Sequence, residues 1–147
     1  MKALSILGIF VILGMGMWYA QGAGYIDISH PNSNHPLTSH SWQWEQTSYS
    51  NGDTRAPHNP EDFLVRFLAD GQFSTGTDCN TAFGSFELND THITIGQLGV
   101  TEMACSGKTL EKIYLDDIQN IASYQINESG DLELHTNTGA LMRFSVY

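Results

Sequence analysis

Residues 106–122, which read SGKTLEKIYLDDIQNIA, decide the fold class, because their apolar residues are spaced differently from those in the rest of the chain. Apolar side chains recur here every three or four residues, as they do on one face of an α-helix. Ser106 or Thr109 is the expected N-cap, since a hydroxyl can accept a hydrogen bond from a free amide at the helix start. The stretch therefore predicts one amphipathic helix. Its apolar face comprises Leu110, Ile113, Tyr114, Ile118 and Ile121.

The segments on either side of this helix alternate apolar and polar residues, or are short and bounded by turn residues, as antiparallel strands are. Trp42 and Trp44 fall on one face of the first strand and are expected to cap the sheet. Strands, one helix and then strands again indicate an α+β domain. The predicted strands are 41–50, 62–68, 72–77, 83–88 and 92–95 before the helix, and 123–127, 132–136 and 140–146 after it.

The composition predicts one small, acidic, folded domain. The chain has 147 residues, of which 41% are hydrophobic, and this is enough apolar surface for a core. The formal net charge is −10, and the six Lys and Arg residues are scattered singly. This distribution argues against a nucleic-acid partner and against adhesion to anionic lipid headgroups.

The first 22 residues have the form of an export segment, either a signal peptide or a membrane anchor. Lys2 precedes an uncharged apolar run at 3–17, as in a secretory signal. The triplet AQG at 20–22 permits cleavage at its end, whereas Trp18, Tyr19 and the length of the run also fit a retained apolar helix. Both alternatives stay open. We expect an exported protein that is periplasmic, inner-membrane-anchored or secreted, with membrane contact through this segment if it is uncleaved.

Residues 23–40 are predicted to form a flexible polar linker, because Ser, Asn, Pro and His dominate them without a sustained apolar period. His30, His35 and His40 recur every five residues, and imidazoles bind Zn or Cu where a chain can fold around the ion. This spacing matches neither a helix face nor a strand face. We therefore favour a solvated linker and keep the three histidines as a metal-binding alternative. The folded domain is then 41–147.

Several motifs within the predicted domain resemble, in order, those of the META domain of the HslJ-like family. They are GTDCN at 76–80, FGSF at 83–86, TEMAC at 101–105, and Glu111 followed by YL at 114–115. Asp78 departs from the family pattern, which usually has Gly there, and Glu102 stands where a basic residue is common. The positions that carry the resemblance are Asp78, Asn80, Gly84, Thr101, Met103, Ala104 and Glu111.

The resemblance implies a small antiparallel sheet curled into an incomplete barrel around one amphipathic helix, here preceded by the N-terminal apolar helix. Proteins of this family are bacterial envelope or secreted proteins, some of them linked to stress such as heat shock or antibiotic exposure. The family supplies no established catalytic residue. A barrel similar to that of secretin pilotins adds a lipid-binding or chaperone-like role by analogy of fold.

Cys79 and Cys105 are the two cysteines of the chain, and an even count in an exported domain favours a disulfide. Family members with both cysteines look disulfide-bonded too. Closing the loop between Cys79 and Cys105 would stabilise the fold by roughly 3–4 kcal/mol in the chain-entropy model. The alternative is a reactive thiol, which would need His92 or His135 to approach it in space.

The helix carries three acidic residues, Glu111, Asp116 and Asp117, away from its apolar face. We expect a solvated surface there rather than an acid and base pair. Lys108 with Glu111, three residues apart, and Lys112 with Asp116, four residues apart, are the expected ion pairs.

The favoured function is non-enzymatic. We expect an envelope or secreted protein whose domain binds a protein partner or a lipid-like hydrophobic molecule, in stress tolerance if the resemblance extends that far. No catalytic residue, cofactor or metal ligand is assigned, because the domain shows no triad, metal set or phosphate loop. The alternatives are a small extracytoplasmic hydrolase or redox protein using Cys, His and Asp, and a metal-scavenging protein using the linker histidines.

Overall fold

The computed structural model describes residues 31, 34–105 and 107–147. The predicted export segment and most of the predicted linker, including His30, lie outside these residues. Within the described ranges, no helix is long and apolar enough to cross a membrane. The elements are β1 (Ser41–Ser48), β2 (Thr54–Arg55), a 3-10 turn (Pro60–Asp62), β3 (Leu64–Phe67), β4 (Gln72–Gly76), β5 (Thr81–Asn89), β6 (His92–Ile95), β7 (Gly99–Val100), α1 (Glu111–Gln119), β8 (Ile121–Ile126), β9 (Leu132–Thr136) and β10 (Leu141–Val146).

Eight of these strands form a closed antiparallel barrel in the order β10, β9, β8, β6, β5, β4, β3, β1. The pairing of β1 with β10, from Trp42 opposite Val146 to Ser48 opposite Leu141, closes it. The short strands β2 and β7 add to β1 and β5. The expected incomplete barrel is thus corrected to a closed one. It closes because β1 and β10, the first and last described strands, pair with each other although they are far apart in the sequence.

Closure places one face of β1 inside the barrel, so Trp42 and Trp44 are both fully buried rather than capping the sheet. The Trp42 indole N–H donates to the Leu37 carbonyl at 2.9 Å, and that of Trp44 donates to the Thr47 hydroxyl at 3.1 Å. Each indole thus has a hydrogen-bond partner inside the core, as a buried polar group requires.

The helix seats in the barrel through Tyr114. Its ring centroid lies 4.9 Å from that of Trp44 and 5.1 Å from that of Phe63, and its hydroxyl lies 2.8 Å from the Thr75 hydroxyl oxygen. Tyr114 is fully buried, and burial raises the pKa of its phenol. One aromatic side chain therefore fixes the position of α1 relative to β1 and β4.

The helix is shorter than predicted, and Leu110 rather than Thr109 stands at its N-cap position, while Ser106 lies outside the described residues. It begins at Glu111 after Leu110, whose backbone N–H donates to Asp78 Oδ2 at 2.7 Å. The Asp78 carboxylate, in the connection between β4 and β5, thus accepts a hydrogen bond from the helix start, as a local hydroxyl was expected to do. The residue Ile121, expected on the helix, opens β8 instead.

Residues 34–40, assigned above to the linker, pack onto the barrel. The Thr38 and Ser39 amides both donate to the His35 carbonyl, which forms a turn, and Leu37 is fully buried in the core. His35 Nε2 lies 3.2 Å from the Tyr124 hydroxyl. The domain therefore begins several residues before the predicted boundary at 41, because one apolar residue in a polar segment is enough to anchor it.

Replacing Leu37 tests this boundary. We expect Leu37→Ala to lower the free energy of unfolding by about 2–4 kcal/mol, because it removes a fully buried side chain and leaves a cavity. The measurement is urea-induced unfolding followed by tryptophan fluorescence. Ser39→Ala, at an exposed position of the same turn, is the control and should change stability by less than about 0.5 kcal/mol. Equal stability of the two variants would contradict the packing of Leu37.

A second contact holds the other side of the helix. The Tyr49 hydroxyl, just after β1, donates to Asp117 Oδ2 at 2.6 Å. Asp117 is largely buried, which corrects the expectation of a solvated carboxylate. Burial raises the pKa of Asp117, the hydrogen bond from Tyr49 partly offsets this, and the nearby Asp116 charge adds to it. Burial and the Asp117 charge likewise raise the pKa of Tyr49, so Tyr49 stays the donor.

The raised pKa of Asp117 predicts a pH dependence of stability. The folded chain holds the proton of Asp117 more tightly than the unfolded chain does. The contribution of Asp117 to stability therefore falls as pH rises from about 4 and levels off above the raised pKa. Asp117→Asn cannot ionise and can still accept from Tyr49. We expect its free energy of unfolding relative to wild type to increase between about pH 4 and pH 7 in denaturant titrations.

The control for this test is Asp116→Asn, which removes the neighbouring, exposed carboxylate. Its stability relative to wild type should depend less on pH. A constant difference between Asp117→Asn and wild type over the whole range would contradict the raised pKa.

Candidate functional site

Cys79 and Cys105 form a disulfide with a Cα–Cα distance of 5.5 Å, which confirms the predicted pairing. Cys79 follows β4 and Cys105 lies in the segment after β7, so the bond ties two loops together. Such a bond favours an oxidising, extracytoplasmic environment. The two sulfurs lie within 4.8 Å of a Glu111 carboxylate oxygen. As disulfide sulfurs they are neither nucleophilic thiolates nor thiolate metal ligands.

The histidines named as activators of a thiol lie elsewhere. His92 on β6 pairs with Ser123 of β8, and His135 on β9 pairs with the same serine. Among the described residues, neither is part of the group gathered at the disulfide. The structure therefore does not bring together the Cys and His residues that the reactive-thiol alternative needs.

Asn80, next to Cys79, links three parts of the chain. Its Oδ1 accepts from the Thr101 hydroxyl at 3.0 Å and from the Met103 amide at 2.8 Å, and its Nδ2 donates to Glu111 Oε1 at 3.1 Å. The same amide nitrogen lies 3.4 Å and 3.5 Å from the two disulfide sulfurs. Asn80 itself is buried, and these partly buried bonds fix the segment 101–105 to the start of α1.

Glu111, the first residue of the helix, completes this arrangement. Its Oε2 accepts from the Asn80 amide at 2.9 Å and from the Thr77 hydroxyl at 2.7 Å. Thr77 Oγ1 in turn accepts from the Asn80 amide at 2.8 Å. A carboxylate at a helix N-terminus is also favoured by the helix dipole. Glu111 is thus a structural anchor and not the solvated side chain that the sequence predicts. The predicted ion pair with Lys108 is wrong, because Thr77 and Asn80 occupy both carboxylate oxygens.

Gly84 of the family motif lies where the packing is close. A Cβ atom there would lie 3.1 Å from Phe73 Cε1 and 3.2 Å from Leu98 Cδ2. Gly99 has the same role on β7, where a Cβ atom would lie 2.6 Å from Phe83 Cε2. The Phe83 ring therefore lies beside Gly99, with 55% of its surface exposed.

The anchored segment forms one wall of an open groove of about 860 Å³, here called the β7–α1 groove. Leu98 and Val100 begin this wall, and Leu115 lies on the opposite, helical wall. Val100 is 39% exposed and Met103 63% exposed, so this wall presents apolar surface to water. The residues lining the groove are Asn80, Leu98, Val100, Thr101, Glu102, Met103, Ala104, Cys105, Glu111, Lys112, Leu115, Asp116 and Gln119.

The groove is acidic. Three carboxylates line it, from Glu102, Glu111 and Asp116, against the single ammonium group of Lys112. Lys112 Nζ lies 2.6 Å from Asp116 Oδ2, which confirms the predicted helical ion pair. Because both members of this pair are exposed, it is worth little and can exchange for another partner.

The sequence motifs contain Thr77 and Leu115 without indicating a role for either, and no motif includes Leu98 or Val100. The spacing of Thr77 and Asn80 carried a usable signal, since a Thr hydroxyl that accepts from an amide a few residues later is a common local turn. Leu98, Val100 and Leu115 carried no such signal, because they meet only when α1 seats against the barrel. The two described linker histidines, His35 and His40, contact different rings, Tyr124 and Trp42.

These features define a small antiparallel barrel domain in which a disulfide and a buried Asn–Glu contact hold an exposed loop against a single helix. The model of the META domain family matches residues 35–146, so the chain belongs to the META domain family. The match begins within the turn that Leu37 anchors. A comparison with curated proteins gave no match.

Two solved structures share the fold. A protein from Burkholderia xenovorans, solved by NMR, is similar with a TM-score of 0.65 and 22% identity, over 78% of this chain and 86% of that one. A DUF4847 family protein from Bacteroides vulgatus, solved by crystallography, is similar with a TM-score of 0.55 and 18% identity, over 74% of this chain and 93% of that one. At these identities the likeness concerns the fold alone.

Replacing Glu111 tests the anchor. In Glu111→Gln, one carboxylate oxygen becomes an NH₂ group. In one orientation this group faces the Asn80 side-chain amide, and in the other it faces the Asn80 backbone N–H and the Thr77 hydroxyl. All three groups donate to Glu111, so a donor then faces a donor. We expect the free energy of unfolding to fall by about 1–3 kcal/mol in guanidinium titrations with the disulfide intact. The matched control, Glu102→Gln, alters an exposed carboxylate and should stay within about 0.5 kcal/mol of wild type. Equal losses in both variants would contradict the role of Glu111.

Proposed function

We propose that this chain is a non-enzymatic exported protein whose META domain binds a protein partner through the β7–α1 groove. The observation that carries the proposal is the exposure of Met103 and Val100 on a segment that the chain holds in place with a disulfide and a buried asparagine. A mobile loop could turn its apolar side chains away from water. A rigid loop that presents them fits a binding surface.

A protein partner is favoured over a lipid-like ligand for two reasons. The barrel interior is filled by large side chains such as Trp42, Trp44 and Phe86, and eight strands leave room for side chains or one small ligand but not both. The groove is open, and its carboxylates repel anionic lipid headgroups. An open acidic groove with apolar walls is better matched by a polypeptide that carries apolar and basic side chains.

Binding is favoured over the hydrolase or redox alternative because the cysteine nucleophile and the histidine base that this alternative needs do not meet among the described residues. The cysteines are bonded to each other, and His92 and His135 lie on other strands. Export rests on the form of residues 1–22 and on the disulfide. A role in stress tolerance rests on the family resemblance and is part of the same proposal.

Photo-crosslinking in the producing cells tests this function. A photoreactive amino acid is placed in the full chain at Met103, or at Tyr147 as a control that is 68% exposed and does not line the groove. We expect a single adduct of defined protein mass from position 103 and none from position 147. Reversing the charge of the groove with Glu102→Lys and Asp116→Lys should remove that adduct.

Absence of any adduct at position 103 would overturn the proposal, and so would either of two other results. Equal crosslinking from both positions would show non-specific contact. Adducts of lipid mass alone at position 103 would instead support the lipid-like ligand.

A further inference from the structure

The strand β7 has one paired edge and one edge that faces the groove. Val100 lies opposite Ala82 of β5, and the Thr101 amide donates to the Thr81 carbonyl at 3.0 Å. Residues of an antiparallel pair alternate between hydrogen-bonded and non-bonded positions. Thr101 and Thr81 are a bonded pair, so Val100 and Ala82 are a non-bonded pair. The N–H and C=O of Val100 therefore point away from β5 and towards the groove.

Among the described strands, β5 is the only partner of β7. On the same side of β5, the preceding strand β6 is covered at its end by the helix, because Gln119 Nε2 donates to the carbonyls of Ile95 and Gly96 at 3.3 Å and 3.0 Å. No side chain of α1 gives Val100 a corresponding hydrogen bond. The edge is also not protected by Lys or Pro, the residues that usually discourage pairing at an exposed strand.

The side chains beside this edge suit an added strand. Leu98 and Val100 alternate with Gly99, so both lie on the face that lines the groove, opposite Leu115. Phe83, on the other face, stays exposed over Gly99. A strand laid beside β7 would place alternate side chains against these two apolar surfaces.

The charge of the groove indicates which side chains the added strand should carry. Glu111 is already engaged by Asn80 and Thr77, whereas Glu102 is exposed and Asp116 is held only by an exposed ion pair. These two carboxylates favour lysine or arginine in the segment that docks between them. They disfavour an acidic segment.

We infer that the partner engages the β7–α1 groove as an extended segment with apolar and basic residues, which adds to the open edge of β7 through the backbone of Val100. This inference rests on the proposed function and specifies how the groove is occupied. Strand addition draws affinity from backbone hydrogen bonds and selectivity from alternate side chains.

The probe for the test is a short synthetic peptide in which lysine alternates with valine, titrated against the full chain at low salt by fluorescence anisotropy. A companion peptide of the same sequence has its backbone nitrogens methylated, and a second has glutamate in place of lysine. We expect each companion to bind at least about ten-fold more weakly than the parent, because the first loses its backbone donors and the second its charge complementarity.

Amide hydrogen exchange reports the position directly and needs no variant. Exchange of the Val100 N–H should slow at least about ten-fold when the parent peptide is near saturation, because that group gains a partner. The Ala82 N–H, on the strand that already pairs with β4 and β7, is the internal control and should not change.

Val100→Pro removes the N–H that faces the groove without removing a ladder bond to β5, and proline is tolerated at such edge positions. We expect it to abolish peptide binding, whereas Val100→Ile, which keeps the N–H, binds the peptide within about three-fold of wild type. The melting temperature of each variant shows whether the fold is retained.

The inference is overturned if the methylated peptide or the glutamate peptide binds as tightly as the parent, if the parent does not bind, or if Val100 exchange does not slow. Failure of the two proposals can be told apart. A Met103 crosslink that survives Val100→Pro leaves the proposed function intact and excludes strand addition. Absence of any Met103 crosslink removes the proposed function itself.

Discussion

The antiparallel pairing of β1 with β10 is the constraint on which the rest of the domain depends. It turns a sheet with two open edges into a barrel and places Trp42 and Trp44 inside it. The enclosed Trp44 ring, with Phe63, then forms the seat for Tyr114, which fixes the helix against the barrel. The helix, which begins at Glu111, forms one wall of the groove. Closure of the barrel therefore also determines where the groove lies.

The domain uses its acidic residues in three different physical roles. Glu111 and Asp78 hold the helix start to the β4–β5 connection, where carboxylates satisfy free amides and complement the helix dipole. Asp117 is buried against Tyr49 and costs stability when ionised. Glu102 and Asp116 stay exposed and give the groove its charge. A net charge of −10 therefore says little by itself about how any one carboxylate acts.

The disulfide and Asn80 act on the same loop by different means. The covalent bond limits how far residues 101–105 can move from β4 in the unfolded and the folded chain alike. The hydrogen bonds of Asn80 to Thr101 and Met103 orient the loop once the chain is folded. Together they keep two apolar side chains, Val100 and Met103, in water beside the open edge of β7. What sets these two side chains apart is that the disulfide and the Asn80 hydrogen bonds hold the segment that carries them.

The sequence by itself determined the elements that depend on neighbours along the chain. Alternation located the eight barrel strands to within a few residues, the three-to-four-residue spacing located the helix, and the motifs around Cys79 and Cys105 identified the family and the disulfide. These features are local, since each strand and helix must show a core-facing period whatever its partners are.

Only the tertiary structure decided the features that join distant residues. Closure of the barrel, capping of Leu110 by Asp78 and burial of Asp117 by Tyr49 each link positions that no local period relates. Leu37 is the same case within a polar segment, because a single apolar residue has no periodicity. The groove depends on all of these contacts, because its two walls, from β7 and from α1, meet only where the helix is seated. Val100 lies on the edge of β7 that β5 does not pair.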